Sequence, residues 1–312
     1  MKVVMPGGSG HVGQAIRRHL EPLGWEFTIL SRHPSPSGIH WDGRTLGDWA
    51  SIIDGCDAVI NLAGRSVNCR YTEGNLKEMM DSRVDSTRVV GEGIAQAAKP
   101  PRLWLQASTA TIYAHRLDAP NDEEHGILGG DEPGAPYKWN ASIAIAKAWE
   151  AELDRAATPY TRKVAMRSAM TMSVERGSVF DVFTRLARRG IGGPAGSGRQ
   201  YVSWIHEGDF VRTLLFLAEH EELSGPVNIC SPNALPNRDF MRILRESVGA
   251  RFALPTPAWI LEIGALLMGT ETELILKSRR VVPTRLIEAG FKFEFPEWSS
   301  AADDLARRWK GG

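Results

Sequence analysis

The chain is predicted to fold as an α/β protein, a doubly wound parallel sheet with a smaller C-terminal α+β lobe. Three observations predict it. Short apolar runs rich in β-branched residues alternate with longer helical patterns through the first half, the rhythm of parallel βαβ units. The first run passes straight into Gly7-Gly8-Ser9-Gly10-His11-Val12-Gly13, placing glycine where a strand must turn tightly into a helix. With 312 residues, the chain exceeds the roughly 250–300 at which one hydrophobic core stops growing, so a second unit is expected.

The elements follow in order. Residues 2–5 read as a fully buried strand and 12–23 as the helix after it. Strands are expected over 25–30, 58–63, 103–108 and 163–170, with helices over 75–98 and 143–157. Right-handed crossovers stack these strands into one twisted sheet with helices on both faces, a unit spanning 1–172. Beyond Val174 the rhythm changes. Residues 178–189 read as a helix, and five glycines within 190–198 exclude a helix or strand interior there. Short strands are expected at 201–205 and 227–230, with 203–232 returning to the first unit. Helices over 238–248, 259–267 and 299–309 complete the lobe spanning 173–312.

Composition narrows the function. The 37 basic and 37 acidic side chains cancel, which removes any general attraction to nucleic acid or an anionic membrane. Cys56, Cys69 and Cys230 are too few and too scattered for a disulfide scaffold or a thiol-rich zinc site, and read as small hydrophobes. Histidines and acids show no metal-ligand spacing, so no metal is expected. The best apolar run, 258–268, is broken by Glu262 and falls short of the ~20 residues of a membrane span. No signal-peptide pattern fits the N-terminus, so a cytoplasmic protein is expected. No helix pair is marked as an interface by pattern, which leaves the oligomeric state open.

The glycine turn makes a specific physical demand. A tight turn needs positive φ, a diphosphate must approach the backbone closely, and the helix must pack hard on the sheet. Gly7, Ser9, Gly10, His11, Val12 and Gly13 are therefore candidate ligands, through amides at a helix N-terminus that favours anions. The second strand decides which dinucleotide. It ends Thr28-Ile29-Leu30-Ser31-Arg32-His33, with no acid for a ribose 2′-hydroxyl. Arg32 offers a planar guanidinium to a 2′-phosphate and Ser31 a hydroxyl, so NADP(H) is expected. The competing reading makes Arg32 a solvated loop cation.

Further stretches carry a resemblance. Asp57-Ala58-Val59-Ile60-Asn61-Leu62-Ala63-Gly64, Ser108-Thr109-Ala110-Thr111-Ile112-Tyr113 and Trp204-Ile205-His206 followed by Asp209 are similar to segments of the extended short-chain dehydrogenase/reductase superfamily, whose fold is the Rossmann fold. Within it the chain most resembles atypical epimerase-family proteins of poorly defined function. That match rests on 61–87, notably Tyr71-Thr72-Glu73 and Asp81-Ser82-Arg83-Val84, on 192–206, and on 280–291, part of a short C-terminal module of unknown function. The resemblance implies that Leu62, Ala63 and Gly64 line the cofactor and that Thr109 is the hydroxyl partner in catalysis.

It also implies a catalytic Tyr with a Lys four residues later, and here the chain departs. Tyr71, Tyr113, Tyr137, Tyr160 and Tyr201 are followed at that spacing by Asn75, Leu117, Ala141, Val164 and Ile205. Anchoring on Trp149-Glu150 places Ser142 at the Tyr position and Ala146 at the Lys position, with Lys147 roughly 100° round the helix. Thr109 and Tyr113 remain as catalytic candidates. The alternatives are a strand-end threonine that bonds backbone and a packing aromatic.

The stretch 114–136, with His115, Asp118, Asp122, Glu123, Glu124 and His125, reads as a mobile surface flap. His206 either faces the cleft or is structural before Asp209, a candidate helix cap. Sugar-nucleotide enzymes of the superfamily place an Arg where Val202 stands, which argues against such a substrate. Arg199 nearby, and Arg65 and Arg70 after the cofactor-side strand, are candidates for an anionic substrate. Two functions stay open: an NADP(H)-dependent oxidoreductase or epimerase-like enzyme for an unknown small molecule, and a non-catalytic NADP(H)-binding redox sensor or partner-binding protein.

Overall fold

The computed structural model describes all residues except 35–37, 133–134, 251–252, 255–256, 258–261, 263–268, 270 and 312. Its strands are β1 (Lys2–Pro6), β2 (Glu26–Ser31), β3 (Ile39–His40), β4 (Ala58–Asn61), β5 (Leu103–Thr109), β6 (Arg162–Ser168), β7 (Met170–Met172), β8 (Tyr201–Val202), β9 (Trp204–His206), β10 (Gly225–Ile229) and β11 (Leu235–Pro236). The α-helices are α1 (His11–Leu20), α2 (Glu73–Gln96), α3 (Tyr137–Arg155), α4 (Val179–Arg188), α5 (Glu207–Glu219), α6 (Asn237–Val248), α7 (Glu273–Leu276), α8 (Thr284–Glu288) and α9 (Trp298–Gly311).

Seven strands form a parallel sheet in the order β10-β6-β5-β4-β1-β2-β3. Growth runs outward from β1 to β2 and β3, then restarts at β4 on the other side of β1. That reversal opens a crevice at the carboxyl ends of β1 and β4, where this class of sheet binds ligands. One face is sealed by α1 and α5 over Met5, Ile16, Leu20, Ile60, Met166 and Leu214; the other by α2 and α3 over Val4, Val59, Val90, Trp104 and Leu153. The doubly wound α/β prediction is met, and 203–232 supplies α5 and β10 to this unit. A second core holds Phe180, Trp204, Phe240 and Trp298, with Phe240 and Trp298 stacked 4.2 Å apart. The C-terminal segment serves both cores, Leu286 and Phe291 joining the first and Trp298 to Ala306 the second.

Where boundaries moved, local chemistry explains it. The first helix ends at Leu20 and tightens into a 3₁₀ turn over Glu21–Leu23, because Pro22 lacks an amide to continue the ladder. The expected strand over 163–170 divides at Ala169, whose amide donates to Ile229 O, and β7 leaves the main sheet to pair with β9. The strand over 201–205 divides at Ser203, which donates to Arg279 O and accepts from Val281 N. α3 begins earlier than periodicity indicates, since its first turn carries the exposed Tyr137 and is not apolar-patterned. The helix expected over 259–267 lies, Glu262 apart, outside the described residues.

Among its described residues, the stretch over 114–136, where a flap was expected, is anchored at a few buried points. Asn121 is fully buried and exchanges backbone bonds with the C-terminal module through Arg280 O and Val282 N. Glu123 accepts from Asn228 N at 2.9 Å, and Glu132 accepts from His115 N at 3.0 Å. Among the described residues, no helix is long and apolar enough to cross a membrane.

Candidate functional site

The site is built on the turn from β1 to α1. Gly7 has φ +74, and a Cβ there would stand 2.7 Å from Ala63 Cα, so the turn and the exit of β4 touch backbone to backbone. A Cβ at Gly13 would stand 2.6 Å from Gly8 Cα, so α1 packs onto its own entry turn. Gly10 caps α1 in an extended conformation with no side chain bonded to the first amides. The N–H groups of His11, Val12 and Gly13 therefore head into the crevice from the positive end of the helix. Only glycine permits this cradle, and its shape suits a diphosphate.

At the far end of β2, Ser31 Oγ lies 3.2 Å from Ser9 Oγ and accepts from His33 N, tying the strand end to the turn. Arg32 beside it is exposed. The next acid along the chain, Asp42, is engaged in its own loop by Arg44 N, Thr45 N and Thr45 Oγ1. Leu62-Ala63-Gly64 runs beside Gly7, held by Leu62 N on Pro6 O and Ala63 N on Asn61 Oδ1. The eleven residues expected at the cofactor are thus drawn from three adjacent strand ends.

Thr109 closes β5, half-buried, and its Oγ1 accepts from Thr111 N at 3.1 Å. Its own proton remains available to an oxygen in the crevice. Tyr113 is corrected. The 3₁₀ turn over Ala110–Ile112 carries its ring into the protein, 1% exposed. Its hydroxyl donates to Asn228 Oδ1 and accepts from Arg167 Nη1, both at 2.9 Å, and burial pushes the phenol up despite that guanidinium. Tyr113 is an internal strut between β5, β6 and β10.

The substrate candidates disperse. Arg65 is held on α2 by Asn75 Oδ1 and by an ion pair with Glu78. Arg199 is exposed on its loop, near the buried Val202. His206, 3% exposed, accepts from Gly208 N through Nδ1, faces Asp304 through Nε2 and stacks on Phe295. It is the N-cap of α5, so of the two readings the structural one fits the geometry. Asp209, the anticipated cap, instead accepts from Glu294 N and Phe295 N.

Around Ser142, which the sequence places at the missing Tyr position, the structure adds residues that sequence reasoning passed over. Ser142 donates at 2.6 Å to Glu273, from α7, which is 2% exposed and has no hydrogen-bond partner on Oε2 among the described residues. Arg279 Nη2 lies 3.5 Å from Glu273 Oε1, and Arg279 Nε donates to Thr111 Oγ1 at 3.1 Å. Lys277, 1% exposed, donates to Thr111 O at 2.8 Å. Glu271 clamps this segment down, accepting from Tyr71 N and from Lys138 Nζ through both oxygens. The only signal in the sequence was position: these residues immediately precede the C-terminal stretch that carried the finer resemblance.

Burial, reinforced by Arg279, brings the Lys277 amine from its ordinary 10.5 down to about 7. In the unfolded chain the amine titrates near 10.5, so between those values the unfolded state binds more protons and stability climbs with pH. Below about 7 both states are protonated and the burial penalty is fully present. Lys277→Met is therefore expected to stabilise the protein at neutral pH by about 2–4 kcal/mol, less the cost of an unpaired Thr111 carbonyl. Denaturant titrations between pH 7 and 9.5 check it; a wild-type climb that persists in the variant defeats the assignment.

Comparison with known proteins identifies relatives of the whole chain. A family model described as "NAD dependent epimerase/dehydratase family" matches residues 3–230, and a domain of unknown function, DUF1731, matches 256–305. The chain is 30% identical over 308 residues to the Homo sapiens epimerase family protein SDR39U1, covering 98% of this chain and 99% of that one. It is 28% identical over 313 residues to the Staphylococcus epidermidis epimerase family protein SERP0438, covering 98% and 99%. The crystal structure of human SDR39U1 (isoform2) with NADPH superposes with a TM-score of 0.86 at 30% identity, over 98% of this chain and 99% of that chain. UDP-N-acetylglucosamine 4-epimerase from Bacillus cereus superposes with a TM-score of 0.76 at 17% identity over the full length of both, a likeness of fold alone.

Proposed function

The chain belongs to the NAD-dependent epimerase/dehydratase family, and from that premise we propose that it is an NADP(H)-dependent oxidoreductase or epimerase-like enzyme acting on a small molecule. One observation carries the reading. The turn at 7–13, which a side chain at Gly7 or Gly13 would push off the backbone of Ala63 or Gly8, is followed at the end of β2 by Ser31 and Arg32 and no acid. The NADPH in the human relative's structure supports the same cofactor.

In this reading the amides of 11–13 hold the diphosphate, Ser31 and Arg32 the 2′-phosphate, and Leu62-Ala63-Gly64 the middle of the dinucleotide. A bound nicotinamide supplies or accepts hydride. Thr109 holds the substrate oxygen through the proton it does not spend on Thr111. The packed C-terminal segment keeps bulk water from the carboxyl end of β5. A nucleotide-sugar substrate is not part of the proposal, since Val202 is buried where such enzymes carry Arg.

Wild type is expected to bind NADPH at least tenfold more tightly than NADH. Arg32→Ala should weaken NADPH by about 10–100-fold, the value of a charge-assisted contact of ~1.5–3 kcal/mol, and leave NADH within twofold. Equal dissociation constants for the two coenzymes in wild type would overturn the NADP(H) reading. The second reading, a non-catalytic NADP(H)-binding sensor or partner protein, draws on Ser142 and Ala146 at the positions of the missing Tyr and Lys. NADPH with a panel of aldehydes, ketones and quinones separates the two: steady oxidation selects the enzyme, and binding without turnover selects the sensor.

A further inference from the structure

The β5 end and the Ser142 position are the two places where the family's acid–base chemistry resides, and one segment of the C-terminal module touches both. Thr111, in the turn that Thr109 caps, receives Lys277 on its carbonyl and Arg279 on its hydroxyl. Arg279 reaches Glu273, and Glu273 accepts from Ser142. The module thus delivers a carboxylate to the helix position from which the tyrosine is missing. Ser142 Oγ, which also lies 3.0 Å from Trp139 O, donates to Glu273 Oε1 at 2.6 Å. Arg279 Nη2 stands 3.5 Å from the same oxygen without a hydrogen bond, and Oε2 is buried without a hydrogen-bond partner among the described residues. A buried carboxylate oxygen left unsatisfied costs about 1–3 kcal/mol or more, which leaves Oε2 able to take a further bond. β5 lies beyond β4, on the opposite side of β1 from β2 and Arg32. A dinucleotide with its adenosine at Arg32 and its diphosphate at Gly7 therefore points its nicotinamide toward this cluster.

We propose that Glu273, acting through Ser142, is the proton acceptor at the nicotinamide face; the proposal rests on the NADP(H) reading above. In the oxidative direction the substrate O–H bond breaks and its proton passes to Ser142 Oγ, as the Ser142 proton passes to Glu273 Oε1. The C–H electron pair leaves as hydride to the oxidised nicotinamide. The alcohol becomes a carbonyl, the nicotinamide is reduced, and Glu273 ends as a neutral acid whose proton leaves by the same path, through Ser142, to water that enters the crevice after the product departs. Reduction runs the same steps backwards. Ser142 touches the substrate; Glu273 is a positioning and proton-storing residue behind it. Tyr71, Arg279 and Lys277 are ionisable groups that interact with the carboxylate.

The test reads charge at the nicotinamide and needs no substrate. The oxidised ring is cationic and the reduced ring neutral, so an ionised Glu273 favours NADP⁺ selectively. Dissociation constants for NADP⁺ and NADPH are measured on wild type, Glu273→Gln and Glu273→Ala. Loss of the carboxylate is expected to weaken NADP⁺ about tenfold relative to NADPH, and formate is expected to restore the ratio in Glu273→Ala. Ser142→Ala, which keeps the charge, should leave the ratio within twofold. If Glu273→Gln or Glu273→Ala leaves the ratio at its wild-type value, Glu273 is structural and the proposal falls. If wild type binds neither coenzyme, the cofactor reading itself fails.

Discussion

Gly13→Ala is expected to weaken NADPH binding at least a hundredfold and to destabilise the fold, whereas Gly10→Ala, three residues earlier in the same turn, should leave stability within about 1 kcal/mol of wild type. The difference follows from space. A methyl group at Gly13 falls 2.6 Å from Gly8 Cα, against rigid backbone, so either the turn opens or α1 lifts from it. Both movements pull the amides of 11–13 out of register with a diphosphate, and overpacking of this kind costs about 1–3 kcal/mol of stability besides. Gly10 has φ −77, and its added Cβ meets nothing closer than Gly7 O at 3.7 Å. Alanine there loses only the slight preference for glycine at a cap, about 1 kcal/mol or less. Fluorescence titration with NADPH, paired with thermal denaturation to show that each variant folds, gives the comparison. Wild-type affinity in a folded Gly13→Ala would mean that the turn does not hold the dinucleotide.

That contrast shows which parts of the molecule were legible in its sequence. The glycine turn, the buried β1 and the acid-free end of β2 are local: each needs only a few consecutive residues and one backbone conformation. The sheet was legible for the same reason, since each βαβ unit carries its own periodicity. The acid–base cluster was not. Ser142, Glu273, Lys277 and Arg279 are brought together by docking of the C-terminal module, and the clamp at Glu271 reaches back to Tyr71. No spacing rule connects residues so far apart. Tyr113 was misplaced by a subtler effect: the 3₁₀ turn after Thr109 rotates the next side chain away from the crevice and under β10. His206 takes the cap expected of Asp209 because α5 starts three residues earlier than that acid indicated, at Glu207.

Arg167→Met is expected to destabilise the protein by about 3–5 kcal/mol, the cost of stranding a buried carboxylate. Glu150, on α3, meets the Arg167 guanidinium on β6 through Nε at 2.9 Å and Nη2 at 2.7 Å, with both side chains largely withdrawn from water. Ser108 adds a third bond to Glu150 from β5 at 2.5 Å, and Tyr113 takes Arg167 Nη1. One fork thus ties α3, β5 and β6 together directly behind Thr109. Removing only the guanidinium leaves Glu150 charged in a low-dielectric site, and Tyr113 loses a donor. Removing both charges, in Arg167→Met with Glu150→Leu, abolishes the stranded carboxylate and should recover at least half of the loss. Denaturant melts of the two singles and the double give the coupling energy, expected at about 2 kcal/mol or more. Additive losses would show that the fork contributes no more than an exposed ion pair. They would also mean that the framework behind the Thr109 turn is held by apolar packing of Ala110, Ile112 and Ala146 instead.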